Sequence, residues 1–388
     1  MGERRRAMED LVIDAAFWRR RRVFVTGHTG FKGAWLALML ARLNAETTGY
    51  ALNPPTDPSL FDLLAVGDTL EDLRGDVNDL ENLRRAMVAA DPEIVIHMAA
   101  QPLVRAGYAE PVATFQTNVM GVVNVLEAAR ACTSLKAVVN VTTDKCYDNR
   151  EAPWGYRETD RLGGRDPYSA SKACAELVTA SYRASFFDHG ATLATARAGN
   201  VIGGGDFAAD RILPDAVRAF TAGRALEVRA PKAVRPWQHV LEPLSGYLML
   251  AEQAARQGET FGDGWNFGPG AESEQDVETL LTRFMAAWGP EARWLPDRSA
   301  HPHEAGVLRL DASKAREKLG WTPLLSFNET VEWTARWYRA HAAGADLRAL
   351  TFDQLDAYLG QRVRLTSPFS KQDRGAAGEE RDAAQRLA

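Results

Sequence analysis

The sequence predicts an α/β fold: a doubly wound parallel sheet with helices on both faces, joined to a smaller C-terminal α/β lobe suited to hold substrate. Three observations predict it. Short apolar runs of strand type alternate with helix-type segments through the first half of the chain, the pattern of a parallel sheet. A glycine-rich turn follows the first of these runs and opens a helix. Beyond Gly203 the alternation loosens into segments containing Gly, Pro and Trp, as expected of a lobe built differently.

Composition bounds the answer. The 388 residues are 46% hydrophobic and 25% charged, ordinary for a soluble globular protein, which excludes disorder, collagen and coiled coil for the whole chain. The apolar run from Gly33 to Ala41 falls far short of the ~18 residues that a membrane-spanning helix needs. A net charge of −5 provides no basic footprint for nucleic acid. Cys132, Cys146 and Cys174 are spaced neither as a disulfide framework nor as a zinc site, and the N-terminus lacks the apolar core of a secretory signal; a cytoplasmic location is expected.

In chain order, residues 1–21 read as an Arg-rich N-terminal extension, and the folded body is expected to open at Val23-Phe24-Val25-Thr26. Residues 22–202 form the expected dinucleotide-binding unit, with further strands at Ile94–Met98, Ala137–Val141 and Leu193–Arg197. Residues 203–365 form the expected substrate lobe, from which stretches such as Gly264–Gly268 can return to the main sheet. Residues 366–388, mixed in charge and poor in bulky apolar groups, read as a flexible tail.

Directly after the first strand comes Thr26-Gly27-His28-Thr29-Gly30-Phe31-Lys32-Gly33, followed by a good helix sequence. Gly27 suits the tight turn, Gly30 lets backbone approach a pyrophosphate, and Gly33 permits close helix packing, while the helix N-terminus offers N–H groups to the anion. This is the Rossmann arrangement. The acid expected about 20 residues on for an adenosine ribose is missing, because Asn53 stands there and Asp57 lies in a Pro-rich loop. Asp76 fits two roles, a partner for the adenine amine or a cap for the next helix.

Tyr168 and Lys172 stand four apart on one face of a helix announced by Pro167. A tyrosine ionises near pH 10, so a base at neutral pH needs help, and Lys172 with a positive nicotinamide would lower that value. The strand Val138–Val141 ends in Thr142-Thr143-Asp144-Lys145, at the carboxyl end where parallel sheets bind ligands. Thr143 could bind a substrate hydroxyl, Asp144 could protonate a leaving hydroxyl, and Lys145 could accept a proton if burial lowered its pKa.

These motifs, Thr-Gly-x-x-Gly-Phe-x-Gly, Tyr-x-x-x-Lys and Thr-Asp at a strand end, resemble the extended short-chain dehydrogenase/reductase family, and within it the nucleotide-sugar 4,6-dehydratases. The branch acting on CDP-glucose is the one resembled by the longer runs Gly27–Gly33, His97–Arg105, Thr143–Asp148, Arg197–Asp206, Arg235–Val240 and His301–Ala305. The resemblance implies bound NAD, which takes hydride from sugar C4 and returns it to C6 after the C5 proton and the C6 hydroxyl have left as water. It assigns Tyr168 as the C4 base and Asp144 as the C6 acid; the C5 base is left open, because relatives acting on dTDP-glucose carry Glu where this chain has Lys145, and Lys145 is the candidate at that position. To the cofactor it assigns Gly27, Thr29, Gly30, Phe31, Lys32, Gly33, Asp76, Val77, Ala99, Ala100 and Gln101, with Tyr168 and Lys172.

A nucleotide diphosphate calls for arginines. The candidates are Arg197, Arg211 and Arg235, with Asn200, Gln238 and His303 beside them. His301 and His303, two apart around a proline, assemble no metal set, and His97 reads as a buried strand residue. The family implies a homodimer, or a homotetramer, through helices near residues 114–131 and 168–186. The competing readings are a dehydratase for dTDP-, GDP- or UDP-sugars, a 4-epimerase, which has no use for an acid at C6, and a dinucleotide-binding sensor, which has no use for Tyr168 and Lys172 together.

Overall fold

The computed structural model describes residues 12–187, 190–297, 299 and 305–364. Seven strands make one sheet: β1 (Arg22–Thr26), β2 (Glu46–Ala51), β3 (Glu71–Arg74), β4 (Ile94–His97), β5 (Ala137–Val141), β6 (Thr192–Ala198) and β7 (Gly264–Phe267). They lie in the order β7-β6-β5-β4-β1-β2-β3, and every neighbouring pair is parallel. The chain winds outward from β1 to β3, then returns to β4 on the other side of β1. A crevice therefore opens between the carboxyl ends of β1 and β4, where such sheets bind ligands. The helices that frame it are α1 (Phe31–Arg42), α2 (Leu80–Ala90), α3 (Gly121–Ala129), α4 (Pro167–Phe186), α5 (Ile212–Thr221) and α6 (Leu241–Gln257).

The two-residue period of the strands divides their side chains between two cores. Phe24, Val95, Val138 and Leu193 face α2 and α3, whereas Val23, Val25, Ile94, Ile96, Val139 and Ala194 face α1 and α6. Burial on both faces explains why these strands read as continuous apolar runs rather than alternating ones. In α4, Pro167 takes the first helical position and the Asp166 side chain accepts from the Ser169 N–H, so the start of this helix is set by local chemistry.

The folded body begins ahead of residue 22. Ile13–Asp14 pairs in parallel with Val363–Arg364, and Ile13 and Trp18 are completely buried. Their partners come from the far end of the chain, so an Arg-rich local sequence concealed an apolar face. Past β6 the chain forms small two-stranded pairings, Leu226–Val228 with Trp294–Pro296 and Val234–Pro236 with Glu274–Asp276, yet β7 from this same stretch joins β6 in the main sheet. The tail 366–388 lies outside the described residues. Among those described, no helix is long and apolar enough to cross a membrane.

Candidate active site

One large cavity, about 1570 Å³, runs from the glycine turn past the end of β5 into the C-terminal half of the chain. At its first end the backbone itself makes the walls. Gly27 has φ +77°, and a Cβ there would stand 2.7 Å from the Ala99 N. A Cβ on Gly33 would stand 2.1 Å from the Gly27 carbonyl oxygen, so α1 packs against the turn as only glycine allows. A Cβ on Gly30 would meet nothing nearer than that oxygen at 3.5 Å, so this side of the turn is open to the cavity. Gly30 caps α1 without a side-chain hydrogen bond, which leaves the first N–H groups for an anion. A concave backbone with free N–H groups fits the pyrophosphate of a dinucleotide.

Thr29, Phe31, Lys32, Asp76, Val77, Ala99 and Ala100 line the same end. The α2 cap is Asp79, which accepts from the Asn82 N–H, and Asp76 accepts from the Asn78 N–H at the cavity wall. The capping role considered for Asp76 is thereby corrected: Asp79 holds it. Gln101 is not at the wall. Its Nε2 donates to Thr114 Oγ1 at 2.8 Å and its Oε1 accepts from the Leu103 N–H at 2.6 Å, so it shapes the loop after β4 instead.

In the middle of the cavity the exit of β5 meets α4. Thr143 donates to Asp144 Oδ1 at 3.0 Å, and Lys145 Nζ lies 3.5 Å from the same oxygen. Asp144 is fully buried, and its Oδ2 has no hydrogen-bond partner. A Cβ on residue 199 would come within 2.6 Å of that oxygen, so Gly199 is what lets the strand pass so close. Tyr168 shares a hydrogen bond with Thr143, yet burial, the largest influence, pushes its hydroxyl up to about 12. Lys172 Nζ donates to the Val141 carbonyl at 3.1 Å, and burial lowers its pKa to about 8 against the pull of Glu176. The expected depression of Tyr168 by Lys172 is not what the structure shows: desolvation dominates, and the influences that lower the hydroxyl are Thr143 and Arg211. Lys32 reaches in from α1: its Nζ donates to the Tyr247 hydroxyl at 2.8 Å, and burial, then Lys172 and Arg211, lower it to about 7. His97 pairs through Nδ1 with Thr26 Oγ1 at 2.6 Å, and burial lowers it to about 3, so it is a neutral link between strands.

Toward the other end, Asn200, Arg211 and Arg235 line the cavity, Arg211 held by Asp206 at 2.7 Å and Arg235 by the Ala305 carbonyl at 2.6 Å. Arg197 and Gln238 do not reach it, which corrects their reading as substrate ligands. Arg197 is turned beneath the sheet end, bound to Glu176 at 2.7 Å and to the Tyr147 hydroxyl at 2.9 Å. Gln238 is buried and donates to the Phe267 carbonyl at 2.8 Å. An arginine suits a diphosphate and Gln238 lies in a run that carries the resemblance, but side-chain direction along the strand turns both away from the cavity. His301 and His303 lie outside the described residues. Arg105, Arg150, Arg165 and Arg229 also line the cavity, unforeseen as ligands, although Arg105 closes the run His97–Arg105 that carries the resemblance.

Comparison with known proteins extends these findings. The family model described as GDP-mannose 4,6 dehydratase matches residues 24–334. A CDP-glucose 4,6-dehydratase of Salmonella typhimurium is 49% identical over 359 residues, 91% of this chain and all of that one. The dTDP-glucose 4,6-dehydratase DesIV of Streptomyces venezuelae, solved with NAD bound, superposes with a TM-score of 0.71 at 25% identity, covering 83% of this chain and 98% of its own. An epimerase of Methanothermobacter thermautotrophicus superposes at 0.72 with 21% identity over 86% of this chain and 96% of its own, a likeness of fold alone. The fold therefore does not separate the two reactions, and the side chains must. With the family match covering residues 24–334 and a relative of near-half identity over its whole length, the chain belongs to the GDP-mannose 4,6 dehydratase family, within the extended short-chain dehydrogenases/reductases.

Proposed function

We propose that the protein is an NAD-dependent CDP-glucose 4,6-dehydratase, which removes water from CDP-glucose to yield CDP-4-keto-6-deoxyglucose. The observation that carries the reading is Asp144: a fully buried carboxyl group, one of its oxygens without a hydrogen-bond partner, in the lining of the cavity that Tyr168 shares. An acid there serves a leaving hydroxyl, which dehydration has and epimerisation lacks. The 49% identity to the Salmonella enzyme supports CDP-glucose as substrate.

Bound NAD supplies a hydride acceptor that is restored within each turnover. The remaining chemistry belongs to side chains. Tyr168 takes the proton of the C4 hydroxyl as that carbon is oxidised; its hydrogen bond with Thr143 and the positive charge of Arg211 both favour its ionised form. The C4 ketone acidifies C5, and Lys145 removes that proton. Asp144, entering the step as the carboxylic acid, gives its proton to the departing C6 hydroxyl, so that water leaves and the pair ends as the Lys145 ammonium and the Asp144 carboxylate, 3.5 Å apart. Arg211, Arg235 and Asn200 hold the diphosphate, and the loss of bulk water inside the cavity strengthens each of these contacts.

The assembly that fits this reading is a homodimer. Val112 is 81% exposed, Leu177 60%, and Phe115 and Met120 are also exposed, an apolar strip across the helical segment before α3 and the adjoining α4. A second copy of the chain would cover it. The three cysteines are free thiols, in keeping with work in the reducing cytoplasm.

The test incubates the purified protein separately with CDP-glucose, dTDP-glucose, UDP-glucose and GDP-mannose, following product mass and nicotinamide absorbance. Loss of one water from CDP-glucose alone, without accumulation of reduced cofactor, is expected. No water loss from any sugar, or inversion at C4 with unchanged mass, refutes the reading.

A further inference from the structure

Behind Lys172, on the side away from the cavity, α4 carries another buried ionisable group. Glu176 lies one helical turn beyond Lys172 and is 3% exposed. Its carboxylate gathers donors from two strands. Thr142 Oγ1 donates to Oε1, Thr195 Oγ1 donates to Oε2 at 2.6 Å, and Arg197 Nη2 donates to the same oxygen at 2.7 Å. The second arm of Arg197 donates to the Tyr147 hydroxyl at 2.9 Å, which donates in turn to Asn266 Oδ1 on β7 at 2.7 Å. A single carboxylate thus ties α4 to the exits of β5 and β6, and through Arg197 to β7. Thr142, the residue held just past the end of β5, immediately precedes Thr143 and Asp144.

A buried ion pair is weak evidence for stability, since removing two charges from water costs about as much as their attraction returns. Its position supplies a better account. Among the described residues, the ionisable groups facing Lys172 are Tyr168 and Glu176 on its own helix, Cys146 in the turn after β5, Lys32 on α1 and His97 on β4. His97 is neutral, Lys32 is a base, and burial holds the Cys146 thiol far above its usual range. Facing Glu176 are Arg197, Arg183 and Cys146. Glu176 is therefore the carboxylate in this set that opposes the loss of the Lys172 proton.

We propose that Glu176 is a positioning residue for the reaction: it fixes the strand end bearing Thr143 and Asp144 against the helix bearing Tyr168 and Lys172, and it places a carboxyl group one helical turn from the Lys172 amine. The inference rests on the reading of Tyr168 and Lys172 as the reacting pair, but its electrostatic part can be measured without turnover. In the protein with isotope-labelled lysine, the Lys172 amine, assigned by its absence in Lys172→Arg, is expected to titrate at about 8. In Glu176→Gln the midpoint falls by about one pH unit or more, as expected for loss of an opposite charge close by. The alkaline decline of kcat moves down with it, and Glu176→Asp restores much of both.

Because Glu176→Gln leaves Arg197 buried without its counter-charge, Glu176→Gln/Arg197→Met serves as the variant with a neutral interior, and a fall in the same direction is expected there. A Lys172 midpoint and kcat profile unmoved in whichever of the two melts cooperatively, with only the melting temperature changed, would overturn the proposal and leave Glu176 a structural link. Failure of the parent protein to dehydrate CDP-glucose would refute the proposed function but leave the titration result standing.

Discussion

Gly33 and Gly30 sit three residues apart in the same turn, and the structure assigns them opposite sensitivities. A methyl on residue 33 would fall 2.1 Å from the Gly27 carbonyl oxygen and 2.7 Å from the His28 Cα. Carbon and carbonyl oxygen approach to about 3.3 Å at closest, so α1 and the turn must separate by roughly 1 Å. Neither side yields easily: the Gly27 N–H is bonded to the Tyr50 carbonyl at 3.0 Å, and Gly33 through Leu40 of α1 are all buried. Overpacking of this kind costs about 1–3 kcal/mol, a sizeable share of the ~5–15 kcal/mol that holds a typical protein folded. Gly33→Ala should therefore lower the denaturant midpoint in an equilibrium melt, and it should weaken NAD binding by calorimetry because the cradle opens. Gly30→Ala meets only ordinary contact, so it should melt like the parent yet lose NAD affinity by about tenfold or more, equivalent to ~1.4 kcal/mol. A Gly33→Ala protein that melts and binds like the parent would refute the packing argument, and a Gly30→Ala protein with parental affinity would refute the placement of the pyrophosphate.

Three other outcomes are expected. Asp144→Asn should slow water loss from CDP-glucose by ~10²–10⁴-fold while CDP binding persists; unchanged turnover removes Asp144 from the acid role. Arg197→Met should leave the KM for CDP-glucose unmoved but strand the Glu176 charge, destabilising the fold by about 3–5 kcal/mol in a denaturant melt; a raised KM with parental stability would return Arg197 to the substrate. Burial lowers the Lys32 amine from 10.5 to about 7, so the folded state binds fewer protons than the unfolded one across that interval, and its stability rises with pH there. The stability difference between the parent and Lys32→Met should shift in favour of the parent between about pH 7 and pH 10, and a difference flat with pH would show the amine unperturbed.

The sequence alone was sufficient for the parts of the protein whose chemistry is local. Strand, glycine turn and helix follow one another within residues 22–42, so the phosphate cradle is written in consecutive residues. Tyr168 and Lys172 share a face because four residues make about one helical turn, and Asp144 lies at a strand end because an apolar run stops there. Tertiary structure decided whatever depends on segments distant in the chain. Arg197 and Arg211 look alike as candidate phosphate ligands, but strand direction sends one to Glu176 beneath the sheet and leaves the other at the cavity wall. Ile13 and Trp18 read as part of a charged extension until Val363–Arg364 pairs alongside Ile13–Asp14. Likewise, the pKa of Tyr168 follows from how deeply α4 is buried, which its neighbours in sequence do not encode. Local backbone chemistry can be read from adjacent residues, whereas side-chain direction and desolvation are set by contacts between parts of the chain that meet only once it has folded.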